Sequence, residues 1–459
     1  MTHKFLIDTH CHFFSAQHIP LTQTIQRIQN KVLGSTFKKV KTSIAATVAS
    51  PIFFSLMADD TIDQAIPFIK FFDTDAAFSI NKASNSMNDI EEIDVSDRIR
   101  IFTPLIMDFE VSIDYKPLKK QANDLYKNIT SINDELESLQ TLVLPFLGFD
   151  LRRLHGSPNI TEKLDEIISA NIAPEEITTI GRINLADFDN MADNFSQLNG
   201  RTIGIKLYPS IGCDIWPEGA GNSTVRTAYL ELMSVFAQRK YPITVHCQTD
   251  SYEGGDLKQS DDELINFAHP EKWWNMLQAA GDSVTDIRLN LAHFGGENGL
   301  KELFRWKSIK TPGSNIIRHK DFKRFDADDE SWTYWILKLI KTYPNVYSDI
   351  SAFDFKGDEK ACASFLWILH LDGEGELDDE FGNYRLIDKL MWGSDIPMTL
   401  FGYADYKEQF DTFIRKTKIE DDYLGKYQLP PHIGSSLNHE LLIEKLIDTN
   451  PKKFLFTFE

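Results

Sequence analysis

Eight short runs rich in apolar, β-branched and aromatic residues recur along the chain, separated by longer stretches of helical composition. They are KFLIDTHCH (4–12), RIFTPLIMDF (100–109), TLVLPFLGFD (141–150), TIGIKLYP (202–209), YPITVHC (241–247), IRLNLAHF (287–294), NVYSDIS (345–351) and KLMWGSDIP (389–397). This alternation is the pattern of parallel strands joined by crossover helices, and so of an α/β fold. Eight such units close naturally into a (β/α)8 TIM barrel, for which about 250 residues suffice. The chain has 459. The surplus is expected in insertions on a single barrel spanning 1–459.

Two gaps exceed ordinary loop lengths, 13–99 after the first run and 295–344 after the sixth. The first leaves from the C-terminal end of a strand, on the face where barrel active sites lie, and is expected to form a large helical cap. It contains the apolar segment IPFIKFFDTDAAFSI (66–80). The second insertion is smaller. No repeat at a solenoid or propeller period is apparent.

Composition excludes several partners. With 48 basic and 68 acidic residues the net charge is −20, which repels nucleic acid and anionic lipid. The four cysteines, Cys11, Cys213, Cys247 and Cys362, form no CxxC pair, so neither a disulfide framework nor a thiolate metal site is expected. The first strand starts too soon after Met1 for a secretory leader, and a cytoplasmic home is expected. The most apolar stretch, SIAATVASPIFFSLM (43–57), carries Pro51 and is shorter than the roughly 20 residues a spanning helix needs, so no membrane span is expected.

The chemistry gathers at the strand ends. In an extended strand His10 and His12 share a face while Cys11 points oppositely. Two such imidazoles about 7 Å apart along the backbone can tilt onto one ion held about 2.0–2.1 Å from each nitrogen. Alone, an HxH pair is more often structural. Three further runs end alike: His246 closes PITVHC, His293 closes LNLAHF, and Asp395 closes LMWGSD. Strand ends converge at one face of a barrel, so these side chains meet there, with the donor set of a catalytic metal.

The ordered pieces DTHCH, GIKLYP, VHC, AHFGG, WGSDIP and DTNPKKFLF, running from residue 8 to 456, resemble the amidohydrolase superfamily. The branch they resemble is the amidohydrolase 2, or amidohydrolase-related, family of metal-dependent hydrolases and decarboxylases. The resemblance covers the barrel but not the cap. It implies one divalent ion, zinc by preference, held by His10, His12, His246 and Asp395. Asp395 would also take a proton from the attacking water, and His293 would be a neighbouring acid or electrostatic helper. It further implies a small-molecule substrate and a homodimer.

Lys206 is open to several roles. In binuclear members of that superfamily a carboxylated strand-four lysine bridges two metals, yet Lys206 precedes Leu207, Tyr208 and Pro209 instead of closing its strand. Charge pairing inside the barrel and binding of a substrate carboxylate are the alternatives, because an unpaired buried lysine is costly. Arg152 and Arg153 follow the third strand, where a guanidinium fork suits a carboxylate or simply pairs with nearby acids. Asp8 sits one layer below His10, positioned to orient a ligand imidazole or to fill the core. Tyr208 and Tyr252 can hydrogen-bond a substrate or pack.

The leading expectation is a metal-dependent hydrolase that uses a metal-activated water on an amide, lactone or related bond of a small, carboxylate-bearing molecule. The alternative is a non-oxidative decarboxylase of an aromatic or unsaturated acid. A non-catalytic metal-bearing scaffold has less support, since a purely structural site needs no spare acid or base.

Overall fold

The structure is a computed structural model, and it describes residues 3–13, 98–113, 117–174, 177–249, 260–303, 331–396, 399, 406–417 and 438–457. Most of both expected insertions lies outside these residues, as do Tyr252 and the 66–80 segment.

All eight expected runs carry strand, the third as two pieces. The strands are β1 (Phe5–Cys11), β2 (Ile99–Pro104), β3 (Thr141–Val143), β4 (Phe146–Gly148), β5 (Gly204–Leu207), β6 (Pro242–Gln248), β7 (Arg288–Gly295), β8 (Val346–Asp349) and β9 (Leu390–Met391). They form two parallel sheets, β1–β2–β3 and β4 through β9 in chain order. The division falls at Pro145, which has no N–H to give a ladder. Leu144 still donates to the Phe102 carbonyl at 2.9 Å, and Phe146 then pairs with β5 while bridging in parallel to Leu105. Backbone bonds also join the far edges: Thr9 N to Trp392 O at 3.1 Å, Asp395 N to His10 O at 2.7 Å, and His12 N to Ile396 O at 2.6 Å.

Helices alternate with the strands. The longer ones among the described residues are α1 (Leu118–Ser131), α2 (Ile160–Asn171), α3 (Ser223–Arg239), α4 (Pro270–Ala280), α5 (Trp332–Thr342), α6 (Glu359–Gly373) and α7 (Tyr406–Thr417). Their apolar stripes explain the packing: α1 buries Leu118, Ala122, Leu125 and Ile129, at the spacing that keeps one helical face inward. Asn159 caps α2, its side chain accepting from Glu162 N at 3.0 Å. None of the described helices is long and apolar enough to cross a membrane. The strands are short, nearly continuous apolar runs, buried over almost their whole length, as expected where helices cover a parallel sheet.

The DTNPKKFLF segment closes this packing from below the strands. Asn450 donates from Nδ2 to Ile387 O at 2.9 Å and to Leu390 O at 2.7 Å, holding the chain as it enters β9. Asn450→Ala leaves two carbonyls without that donor. It is expected to cost about 1–3 kcal/mol, seen as a lower urea midpoint at an unchanged slope. An unchanged midpoint would show that this tether is dispensable.

Candidate metal centre

Parallel strands deliver their C-terminal ends to one side, and there the structure gathers the side chains. Two local distortions aim them. Between Asp8 and Cys11, β1 advances three residues while β2 advances two, from Phe102 to Pro104, a bulge that includes His10. Between His246 and Gln248 the extra residue is on β7, and it coincides with left-handed backbone at His293 (φ 72°) and Phe294 (φ 48°). Asp395 is also left-handed, at φ 55°. Non-glycine residues seldom adopt this conformation, and it concentrates where side chains must be aimed.

His10 and His12 lie with ring centroids 5.2 Å apart, and both turn Nε2 toward Asp395 Oδ1, at 3.4 and 3.3 Å. His10 Nδ1 is 3.0 Å from the Asp349 carboxylate, and His12 Nδ1 is 3.0 Å from the Leu105 carbonyl. An ionised carboxylate and a carbonyl only accept, so each Nδ1 carries the proton. For His10, which burial keeps neutral, Nε2 is then a bare lone pair facing the Asp395 carboxylate. His10, His12 and Asp395 present ligand atoms within 4.8 Å of one another, and so do His10, His293 and Asp349. His246 belongs to neither group. Its ring lies between Tyr208 (centroids 4.4 Å apart, tilted) and His293 (4.7 Å, edge to face), its Nδ1 meets His293 Nε2 at 3.1 Å, and its Nε2 is buried with no hydrogen-bond partner among the described residues. His10 Nε2 is likewise buried with no hydrogen-bond partner among the described residues.

Electrostatics agree with a cation-seeking site. Burial, reinforced by the nearby Lys206 charge, holds His10 down to about 3. Burial and His293 put His246 well below the usual imidazole range. Burial alone would raise Asp395, but the His12 contact and the surrounding imidazoles prevail and hold it down to about 2. Crowded, unprotonated acceptors with no proton between them are what a divalent cation compensates. The residues present therefore fit a metal of nitrogen and oxygen preference.

The other expected site residues fall variously. Lys206 is 1% exposed, and its Nζ makes no hydrogen bond among the described residues. Burial lowers it to about 8, against the pull of Asp349 and Asp395. A small cavity of about 10 Å³ runs from Lys206 and Tyr208 past Asp108 and Asp150. Arg152 turns its guanidinium onto Asp150 at 2.5 Å, and Arg153 grips Asp108 at 2.6 and 2.7 Å and Glu110 at 3.0 Å. Asp8 accepts from the backbone N–H groups of His10 (3.1 Å) and Ser394 (3.0 Å), so it fixes the His10 main chain and not its ring. Burial pushes Asp8 up to about 7. Cys247 points outward, its Sγ 3.6 Å from Ala268 O.

Asp349 orients the His10 ring, and the motif reading passed over it. It accepts from His10 Nδ1, from Asn290 Nδ2 at 2.7 Å, from His293 N at 3.0 Å, from Ser351 N at 3.2 Å and from the Ser351 hydroxyl. Its signal was available: Asp349 ends β8 as His and Asp residues end the neighbouring runs.

No family model matches the sequence, and no curated protein matches it. Several solved structures are similar to the chain. One is an amidohydrolase from Burkholderia multivorans with bound zinc (13% identity, 99% of this chain and 100% of that chain, TM-score 0.40). A second is a probable 2-pyrone-4,6-dicarboxylic acid hydrolase from Acinetobacter baumannii with bound citric acid (11%, 99% and 99%, TM-score 0.38). A third is the Metarhizium anisopliae IDCase in apo form (15%, 98% and 97%, TM-score 0.35). These likenesses are slight, and the donor set above carries the chemistry.

Gly393 keeps the site open. A Cβ there would stand 2.6 Å from His10 Cβ and 3.0 Å from Ser351 Cβ. Gly393→Ala is expected to displace His10 and weaken zinc binding by about 10–100-fold, measured by competition with a chromogenic chelator. Wild-type affinity in a folded variant would show that the placement of His10 does not set the donor geometry.

Proposed function

We propose that this chain is a metal-dependent hydrolase of small, carboxylate-bearing molecules, acting on an amide, lactone or related bond. Its scaffold is a (β/α)8 barrel closed between β9 and β1, with the 13–99 segment as its cap. One observation carries the chemical reading: the buried Nε2 atoms of His10 and His246 have no hydrogen-bond partner among the described residues, beside an Asp395 carboxylate already crowded by two imidazoles. His10, His12, His246 and Asp395 would hold one divalent ion, with zinc suited to three imidazoles and a carboxylate. Such an ion supplies a Lewis acid and a more acidic water.

The remaining work belongs to the chain itself. Asp395, held ionised, is the base for the attacking water, since its other contacts leave it an acceptor. Lys206 is the anchor for a substrate carboxylate. A buried ammonium with no hydrogen-bond partner among the described residues is unfavourable, and an incoming carboxylate would supply one. The Tyr208 ring, 5.7 Å from Lys206 Nζ and tilted against His246, walls the same side.

The Lys206 ammonium also favours a second reading, non-oxidative decarboxylation, in which the anchored carboxylate is the group that leaves. Products distinguish the two. Metal-loaded protein is screened against lactone, amide and unsaturated carboxylic acids in ¹⁸O-water. One ¹⁸O in a ring-opened or cleaved product supports hydrolysis, carbon dioxide without ¹⁸O incorporation in the other product supports decarboxylation, and neither across the panel contradicts an enzymatic role. On a hydrolysed substrate, Asp395→Asn is expected to lower kcat by roughly 10²–10⁴-fold. Lys206→Met is expected to raise KM about ten- to a hundredfold while raising the thermal midpoint, because it removes a desolvated ammonium that has no hydrogen-bond partner among the described residues.

A further inference from the structure

His10 and His12 each have a plain acceptor for Nδ1, a carboxylate and a carbonyl. His246 does not; its Nδ1 faces another imidazole, His293 Nε2. Two neutral imidazoles facing each other can share a proton either way, so something else must decide the direction. That direction matters, because it determines whether His246 Nε2 is a lone pair or an N–H.

The protons can be followed from Asp349. Its carboxylate faces N–H donors that cannot accept, Asn290 Nδ2 on one oxygen and the His293 and Ser351 backbone N–H groups on the other, so it only accepts. The Ser351 hydroxyl has one proton. Its Oγ lies in short contact with Asp349 Oδ1 and 2.8 Å from His293 Nδ1. Were that proton given to the ring, Oγ and Oδ1 would meet lone pair to lone pair. The hydroxyl therefore donates to Asp349 and accepts from His293 Nδ1–H. His293, only 2% exposed and neutral, then has a bare Nε2, which accepts from His246 Nδ1–H. The last atom in the chain, His246 Nε2, is left as the unpartnered lone pair that the structure shows.

The geometry points to Ser351 as a positioning residue that, through His293, fixes the tautomer of His246 and readies its Nε2 for a metal ion. This rests on the reading of His246 as a metal-holding residue. It also gives His293 a linking role in place of the acid role implied by the family resemblance, since both of its ring nitrogens are engaged within the protein. The neighbouring left-handed backbone at His293 is consistent with a ring turned to reach both partners.

The test uses metal-free, full-length protein with ¹⁵N-labelled histidine, read by long-range ¹H–¹⁵N correlation near neutral pH. His246 is expected to carry its proton on Nδ1 in the wild type and to lose that single tautomer in Ser351→Ala. Zinc affinity is expected to fall about 10–100-fold in the same variant. A wild-type His246 protonated on Nε2 overturns the proposal, and so does a Ser351→Ala protein with unchanged tautomer and affinity. If Ser351→Ala does not fold, the wild-type spectrum alone still decides the direction of the chain. A wild type that shows the expected tautomer yet takes up no zinc supports the hydrogen-bond chain and overturns the metal reading.

Discussion

The site depends on one buried carboxylate. Asp349, fully enclosed at the end of β8, ties together β1 through His10, β7 through Asn290 and His293, and its own following turn through Ser351. A lone buried carboxylate is costly, but one that accepts from this many N–H and O–H groups is held ionised and fixed in place. Its partners are fixed in return. An acceptor that cannot donate dictates where each neighbouring proton sits, so a single acid orders the histidine rings into one consistent pattern. The bare Nε2 atoms of His10 and His246 follow from that pattern.

The residual charges are consistent with the same picture. The Nε2 atoms of His10 and His246 and the Lys206 Nζ are buried without a hydrogen-bond partner among the described residues, beside an Asp395 crowded by two imidazoles, which leaves the site with polar groups open to a ligand. The arginines behave differently. Arg152 and Arg153 are already matched by Asp150, Asp108 and Glu110, which makes them fixed parts of the wall near the Lys206 cavity.

Much of this was legible in the sequence. The eight runs carry parallel strand, because apolar strands buried by helices read as short continuous hydrophobic blocks. His10, His12 and Asp395 are adjacent in space, as the shared strand-end position suggests. Pro145 splitting the third run was visible as a proline inside a strand. The bulges in β1 and at His293 were not, because they express how two strands fit each other and not what either contains. Asp349 and Ser351 escaped notice for a related reason. Asp349 ends its run as Asp395 does, but NVYSDIS has no histidine beside it, and what the two residues hold is set by the partners that β1 and β7 bring to them.

The most direct test of the account is metal content per chain, by plasma mass spectrometry, on protein purified without chelator and reconstituted with zinc. About one equivalent in the wild type, lost in His10→Ala and in His246→Ala, is the result expected. Two equivalents would contradict a single-ion centre and bring Lys206 and His293 into the ligand set, and none after reconstitution would contradict the metal centre itself.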